Sequence, residues 1–98
     1  MVKKYAFMIM GGEYDPAVHQ ARFATDRGET HIRTVRDFAG AKTMAVSLRD
    51  EGVGAIELCG AFTPENAREL VDITGGDVAV GYVIHDPAQD GLFAKFFG

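Results

Sequence analysis

The sequence predicts a single α/β domain, because apolar runs of strand length alternate with segments of helical spacing along its 98 residues. Residues 5–10 are an unbroken apolar run, which is typical of a strand covered on both faces, and residues 78–84 form a second long apolar strand. Each candidate helix begins with a capping residue directly after a strand, and these residues are Asp15, Asp37, Thr63 and Asp86. We therefore expect residues 1–98 to form a small, mainly parallel sheet of about four strands with right-handed βαβ crossovers.

The first half of the chain contains two predicted strands and two predicted helices. Gly11-Gly12 ends the first strand, and Asp15-Pro16 offers a cap and a first-turn proline for a short helix over residues 17–23. The alternating, β-rich run 30–35 predicts the second strand. Asp37 caps a helix that extends to about Glu51 and ends at Gly52. Its buried stripe consists of Phe38, Ala41, Ala45 and Leu48.

The second half repeats the strand-helix pattern twice. Residues 54–59 predict a strand, and Thr63-Pro64 then begins a helix that Gly75-Gly76 ends. The inward side of this helix consists of Ala67, Leu70, Val71 and Thr74. After the strand 78–84, Asp86-Pro87 begins a last helix whose apolar side consists of Leu92, Phe93, Phe96 and Phe97.

Residues 11–36 admit a second interpretation. Residues 19–25 also suit a strand that pairs with residues 30–35 through the turn signal Asp26-Arg27-Gly28. This hairpin, within residues 19–35, would make the fold α+β with an antiparallel portion. Four strands cannot close a barrel, so the open sheet edges and the Phe-rich C-terminus favour a homo-oligomer in either case.

Composition and charge exclude several classes of protein. The N-terminal apolar run has six residues, fewer than a signal peptide (roughly 7–15) or a membrane span (about 20) needs, so we expect a cytoplasmic protein with no membrane partner. The single cysteine agrees with a reducing compartment. The net charge of −4 argues against nucleic acid as a partner. Residues 22–49, however, carry six Lys or Arg against three acids, and such a local positive field could attract a small anion.

Glu57 is the first candidate for chemistry because it interrupts an apolar strand. Alternation along the strand puts Ala55, Glu57 and Cys59 on one face. A carboxylate inside a sheet is costly unless it is paired or protonated, so its pKa would rise and it could act as a general acid or base. The alternatives are a solvent-exposed position at the sheet edge and a structural ion pair with an arginine such as Arg33.

Cys59 and His85 are the other candidate catalytic residues. Cys59 stands before the helix that begins at Thr63, where a thiol can have a lowered pKa and act as a nucleophile, although buried cysteines usually pack as small apolar residues. His85 follows the last apolar strand, so parallel strands would bring it to the same edge of the sheet as Cys59. Its alternative role is a loop histidine bonded to the backbone.

Four residues are candidate ligand-binding groups. His31 and Arg33 share a strand face that could be directed toward Glu57. Gly60 and Thr63 belong to the turn before a helix, whose backbone N–H groups attract anions. A metal site could be composed from His31, Glu57, Cys59 and His85, but no compact pair of ligands is present, so we expect no metal and no cofactor.

Three segments resemble a known family, namely Lys4-Tyr5-Ala6-Phe7-Met8-Ile9-Met10-Gly11, Gly54-Ala55-Ile56-Glu57-Leu58-Cys59-Gly60 and Val80-Gly81-Tyr82-Val83-Ile84-His85-Asp86-Pro87. The chain resembles a small bacterial and archaeal family of about this length that is described as a domain of unknown function. The resemblance covers nearly the whole chain and implies a soluble single domain. It implies no activity, substrate or catalytic residue.

Two functions remain open from the sequence. In the first, a small polar or anionic molecule binds at the carboxyl ends of the strands, where ligands bind in open α/β sheets, and Glu57 acts as acid or base beside His85 and Cys59. In the second, the protein is a non-catalytic oligomeric module for ligand binding or assembly, and Glu57 forms a structural ion pair. Whether the protein is an enzyme is left undecided.

Overall fold

The computed structural model describes residues 2–98, which form five strands and three α-helices. In chain order these are β1 (Lys3–Met10), β2 (Ala21–Ala24), β3 (Gly28–Val35), α1 (Phe38–Asp50), β4 (Ala55–Leu58), α2 (Pro64–Ile73), β5 (Ala79–Tyr82) and α3 (Asp90–Phe97). A 3₁₀ turn, Pro87–Gln89, precedes α3. In residues 2–98 no helix is both long enough and apolar enough to cross a membrane.

The strands form one sheet in the order β2-β3-β1-β4-β5. β1 lies at its centre and pairs in parallel with β3 and β4, and β5 pairs in parallel with β4. Only β2 is antiparallel, and its partner is β3. The predicted mainly parallel α/β sheet is therefore confirmed, with one antiparallel hairpin.

The predicted short helix over residues 17–23 is wrong, and the alternative hairpin is present instead. Asp15-Pro16 starts only a turn, in which the His19 backbone N–H donates to the Asp15 carbonyl at 2.8 Å. The chain then extends because Ala21–Ala24 can pair with β3, and the Thr25 N–H donates to the Gly28 carbonyl at 2.8 Å across the connection. Pairing with an existing strand outweighs the weak local preference for a helix here, and the sheet gains a fifth strand.

Helices α1 and α2 begin at the predicted capping residues, whereas α3 begins four residues after Asp86. The Asp37 carboxylate accepts from the Gly40 N–H at 2.8 Å. Thr63 and Asn66 form a reciprocal capping box, with both side chain–backbone distances at 3.0 Å. Gly52, with φ +95°, follows the end of α1 in the left-handed conformation that glycine adopts without strain. Asp86 caps the 3₁₀ turn, accepting from the Ala88 N–H at 2.8 Å, and α3 follows it.

The core lies between one face of the sheet and the two helices α1 and α2. Because side chains alternate along strands, Ala6 and Met8 of β1 share this face with Ile56 and Leu58 of β4, and all four are fully buried. They pack against the buried residues of the helices, Ala41, Ala45, Leu48, Ala67 and Leu70. One layer of helices on one sheet face therefore holds the whole hydrophobic core.

Neither α1 nor α2 covers the opposite face of the sheet. We call it the open face; it consists of Tyr5, Phe7, Ile9, Thr30, Ile32, Ala55, Glu57, Ala79 and Gly81. None of these residues belongs to the buried core cluster. The prediction that the strand 5–10 is covered on both faces is therefore wrong. Residues 11–27 form a loop and β2 where a helix would have covered this face.

Candidate functional site

A cavity of about 570 Å³ opens at the carboxyl ends of β1 and β4. The chain leaves β1 toward β3 and leaves β4 toward β5 on the other side. This divergence is the topological switch point, where open α/β sheets bind ligands. The cavity therefore lies where the sequence places a site.

Three chain segments build the walls of the cavity. The end of β1 and the following loop contribute Ile9, Met10, Gly11, Glu13 and Tyr14. The turn after β4 contributes Cys59, Gly60 and Ala61. The C-terminal segment contributes Val83, His85, Phe93 and Phe97. Most of these groups are apolar, and polar side chains come chiefly from Glu13, Tyr14 and His85.

His85 is held in one orientation by two contacts. Its Nε2 lies 2.7 Å from Oδ1 of Asp90, and its ring stacks on Phe93 with centroids 4.0 Å apart and planes 9° from parallel. An ionised carboxylate only accepts hydrogen bonds, so Nε2–H donates to Asp90. In the neutral ring this leaves Nδ1 as an acceptor. The pair fixes the orientation of the His85 ring in the wall of the cavity.

Cys59 lies in the wall between the cavity and the core. Its Sγ accepts from the Met10 N–H at 3.4 Å, and its own N–H donates to the Met8 carbonyl at 3.1 Å. The thiol is half-buried and packs against the core cluster. The structure thus brings Cys59, Gly60 and His85 to one cavity.

Glu57 lies on the open face, away from this cavity. Its side chain is exposed rather than buried in the sheet, because neither α1 nor α2 covers that face. Its neighbour is Tyr5: burial, followed by the hydrogen bond and negative charge of Glu57, raises the pKa of the Tyr5 hydroxyl above its ordinary value. The expectation of a buried carboxylate is therefore wrong, and Glu57, His85 and Cys59 do not line a common cavity.

The remaining predicted ligand-binding residues also lie elsewhere. His31 and Arg33 pair with Ala6 and Met8 in the register, so they lie on the helix-covered face and not beside Glu57. Arg33 Nη2 lies 3.1 Å from His31 Nδ1 and 3.4 Å from the Glu51 carboxylate. Thr63 caps α2 and is not part of the cavity wall.

The positively charged region of the chain is largely engaged within the protein. Arg33 and Arg36 line a shallow depression of about 510 Å³ beside the start of α1. Arg33 is paired with Glu51, Arg36 Nε donates to the Tyr14 carbonyl at 2.7 Å, and the Asp37 carboxylate lines the same depression. These contacts offset the positive field that the sequence suggests.

His31 makes the stability of the fold sensitive to mild acid. Burial, and then the charge of Arg33, lower the pKa of His31 below its ordinary 6.5. Below that pH the unfolded chain binds a proton that folded His31 resists, so the free energy of unfolding is expected to fall as pH falls from 6.5 toward the folded pKa. One proton gives a slope of at most about 1.4 kcal/mol per pH unit.

Urea denaturation at several pH values tests this prediction. The variant His31→Gln should be less dependent on pH than the wild type in the window just below 6.5. Glu29 acts in a more acidic window, because its hydrogen bond with Arg22 lowers its pKa from 4.5. Equal slopes for the two proteins just below pH 6.5 would contradict the assignment.

Several cavity residues were not identified from the sequence. Glu13 and Tyr14 lie in a loop that carries no motif, and only the fold returns this loop to the end of β4. For Phe93 and Phe97, the Phe-rich helix that follows His85 was a signal in the sequence. Among residues 2–98, no group of three or more His, Cys, Asp or Glu side chains is arranged to hold a metal ion.

Comparison with known proteins gives a family but no activity. A family model described as a family of unknown function, DUF6506, matches residues 3–98. No curated protein and no solved structure matches the chain. The geometry of the cavity is therefore the main guide to function.

Proposed function

Because the chain belongs to DUF6506, a family of unknown function, we propose its function from the cavity: it binds a small molecule that has an apolar, ring-sized body and a hydrogen-bond donor. The observation that carries this proposal is the cavity of about 570 Å³ at the switch point of the sheet, into whose wall the oriented His85 is built. Its volume falls within the range of about 300–1,000 Å³ that is usual for small-molecule sites.

The apolar walls support a ligand with an apolar body. Ile9 and Met10 line one side, and Phe93 and Phe97 of α3 line another. The two phenylalanine rings lie 10° from parallel with centroids 6.3 Å apart. Flat aromatic walls of this kind favour a planar ligand, because stacked rings gain contact area and a favourable quadrupole interaction.

The polar groups that line the cavity favour a ligand with a hydrogen-bond donor over an anionic ligand. Glu13 provides a carboxylate, and the His85 ring, whose Nε2 is engaged by Asp90, provides Nδ1. No lysine or arginine is among the described residues that line the cavity. A bound anion would meet the Glu13 charge without a compensating cation, so a hydroxyl, amide N–H or amine on the ligand suits the site better.

The proposal concerns binding and assigns no reaction. Glu57, the acid or base expected from the sequence, lies on the open face outside the cavity. His85 and Cys59 both line the cavity, and in this proposal they serve as the acceptor and as part of the wall.

Amide NMR spectra with two matched probes test the proposal. Naphthol carries a donor on a flat apolar body, and naphthoate carries an anion on the same body. We expect naphthol to shift the amide signals of Gly11, Gly60 and Phe93, and naphthoate to bind more weakly. The variant Ala61→Phe narrows the cavity and should abolish these shifts, whereas Ala39→Phe, on the exposed side of α1, should not.

Two outcomes would contradict the proposal. Naphthol could leave the signals of the cavity unchanged, or it could bind equally well to Ala61→Phe. The variant His85→Phe tests how much the hydrogen bond of His85 contributes to ligand binding, because it keeps an aromatic ring against Phe93 but removes Nδ1. In this variant, naphthol should lose most of its advantage over naphthoate.

A further inference from the structure

Helix α3 has two sides with different surroundings. Phe93 and Phe97 line the cavity. The other side presents Leu92, Lys95 and Phe96, which the spacing of three and four residues brings together on one face. We call these three residues the α3 ridge. Leu92 is 64% exposed and Phe96 is 81% exposed, so the ridge is an apolar surface that its own chain does not cover.

The open face of the sheet is a second uncovered apolar surface. Its centre is formed by Phe7 and Ile32, which are half-buried. Glu57 is its single carboxylate. Among the ion pairs of residues 2–98, none includes Glu57 and none includes Lys95.

The two surfaces match in chemistry and in charge. Each is apolar; the ridge carries Lys95, and the open face carries the Glu57 carboxylate, which lies beside Phe7 in the register. Lys3, at the amino end of β1, also lies on the open face. Lys95 is also the only Lys or Arg after Arg68 in the sequence, so the ridge is a local exception in an acidic half of the chain. Opposite charges within matching apolar surfaces favour one docking register over others.

We propose that the open face binds the α3 ridge of a second copy of this chain, with Lys95 of the ridge beside Glu57. A two-fold axis makes the contact reciprocal, so each copy gives one ridge and receives one. Both uncovered apolar surfaces are then buried in a closed dimer. An unrelated partner that binds one of these surfaces would leave the other apolar surface exposed.

The dimensions allow this arrangement. Five strands spaced about 4.8 Å apart span roughly 19 Å, which accommodates a helix about 10 Å across. The molecule measures 43 × 27 × 25 Å, and its Cα radius of gyration of 13.9 Å exceeds the roughly 12.6 Å expected for a compact chain of this length. An elongated chain of this kind can reach across to its partner.

The inference does not depend on the proposed ligand, although it affects the same helix. A partner that holds Leu92 and Phe96 also holds Phe93 and Phe97 in position, because all four belong to α3. Dimerisation would therefore fix one wall of each cavity. The oligomeric state can be measured without any ligand, so the dimer and the ligand can fail separately.

Reversal of the two charges tests the contact. Light scattering after size exclusion should give a dimer for the wild type. We expect Glu57→Lys alone and Lys95→Glu alone each to weaken the dimer about ten-fold or more, because like charges then meet across the interface. The double variant should restore it. The matched control reverses Glu65 and Arg68, an exposed pair 3.7 Å apart on α2, and should leave the dimer unchanged.

Disulfide trapping tests the register of the contact. In a Cys59→Ser background, one protein carries Glu57→Cys and the other carries Lys95→Cys. Mixing the two with oxidised glutathione should yield a covalent heterodimer in preference to either homodimer. A monomeric wild type, a double charge variant that does not recover, or trapping with no preference for the mixed pair would each overturn the proposal. Circular dichroism shows whether each variant folds.

Discussion

Replacing Leu48 by alanine is expected to lower the free energy of unfolding by about 3 kcal/mol. Leu48 is fully buried in α1 and packs in the one core between the helices and the sheet. The sheet is covered on only one side, so no second core can compensate for the cavity that the substitution leaves. For a domain with a stability of about 5–15 kcal/mol, this is a large fraction of the total.

Urea denaturation measures this effect, and Ser47→Ala provides the control. Ser47 is exposed and precedes Leu48 in the same helix turn. Its side chain makes one weak contact, at 3.5 Å to Glu51, so we expect a change of less than about 0.5 kcal/mol. If Leu48→Ala lowers the free energy of unfolding no more than Ser47→Ala does, then α1 does not close the core as described.

Replacing Gly28 by alanine is expected to cost about 1–3 kcal/mol for a different reason. Gly28 pairs with Lys3 at the amino ends of β3 and β1. A Cβ at residue 28 would overlap the Lys3 carbonyl oxygen and lie 3.1 Å from the carbonyl carbon. Both groups are backbone, so β1 and β3 would have to separate at this end. The hairpin between β2 and β3 starts at the same residue and would shift as well.

Gly54→Ala is the matched control for Gly28→Ala. A Cβ at residue 54 meets no atom within 4 Å, and Gly54 is not among the glycines with positive φ. Alanine there restricts the unfolded chain and should stabilise the protein by less than about 1 kcal/mol. Opposite signs for the two substitutions in urea denaturation are the expected result, and equal losses would contradict the close approach of β1 and β3.

The fold could be predicted from the sequence where short-range signals decide the structure. The caps at Asp37 and Thr63 and the end of α1 at Gly52 are local, and each is predicted at the correct residue. Residues 17–25 could not be assigned with the same clarity. Their structure depends on pairing with β3, which is a contact between segments rather than a property of one segment.

The location of the candidate site could be predicted from the sequence, but not all of the residues that form it. Parallel strands bring their carboxyl ends together, so Cys59 and His85 were correctly expected at the same edge of the sheet. Glu57 was expected to be buried, but it is exposed. Alternation along a strand shows which residues share a face, but it does not show whether helices cover that face. The missing helix between β1 and β3 decides that, and its absence follows from the hairpin.

The cavity has walls from three distant parts of the chain, the end of β1, the turn after β4 and helix α3. A ligand can bind this cavity only while all three parts are folded and in place, so by mass action it stabilises the native state as a whole. A ligand at one hundred times its dissociation constant adds about 2.7 kcal/mol to the free energy of unfolding. In the proposed function, contacts of the ligand with Phe93 and Phe97 would also link α3 to the ends of β1 and β4.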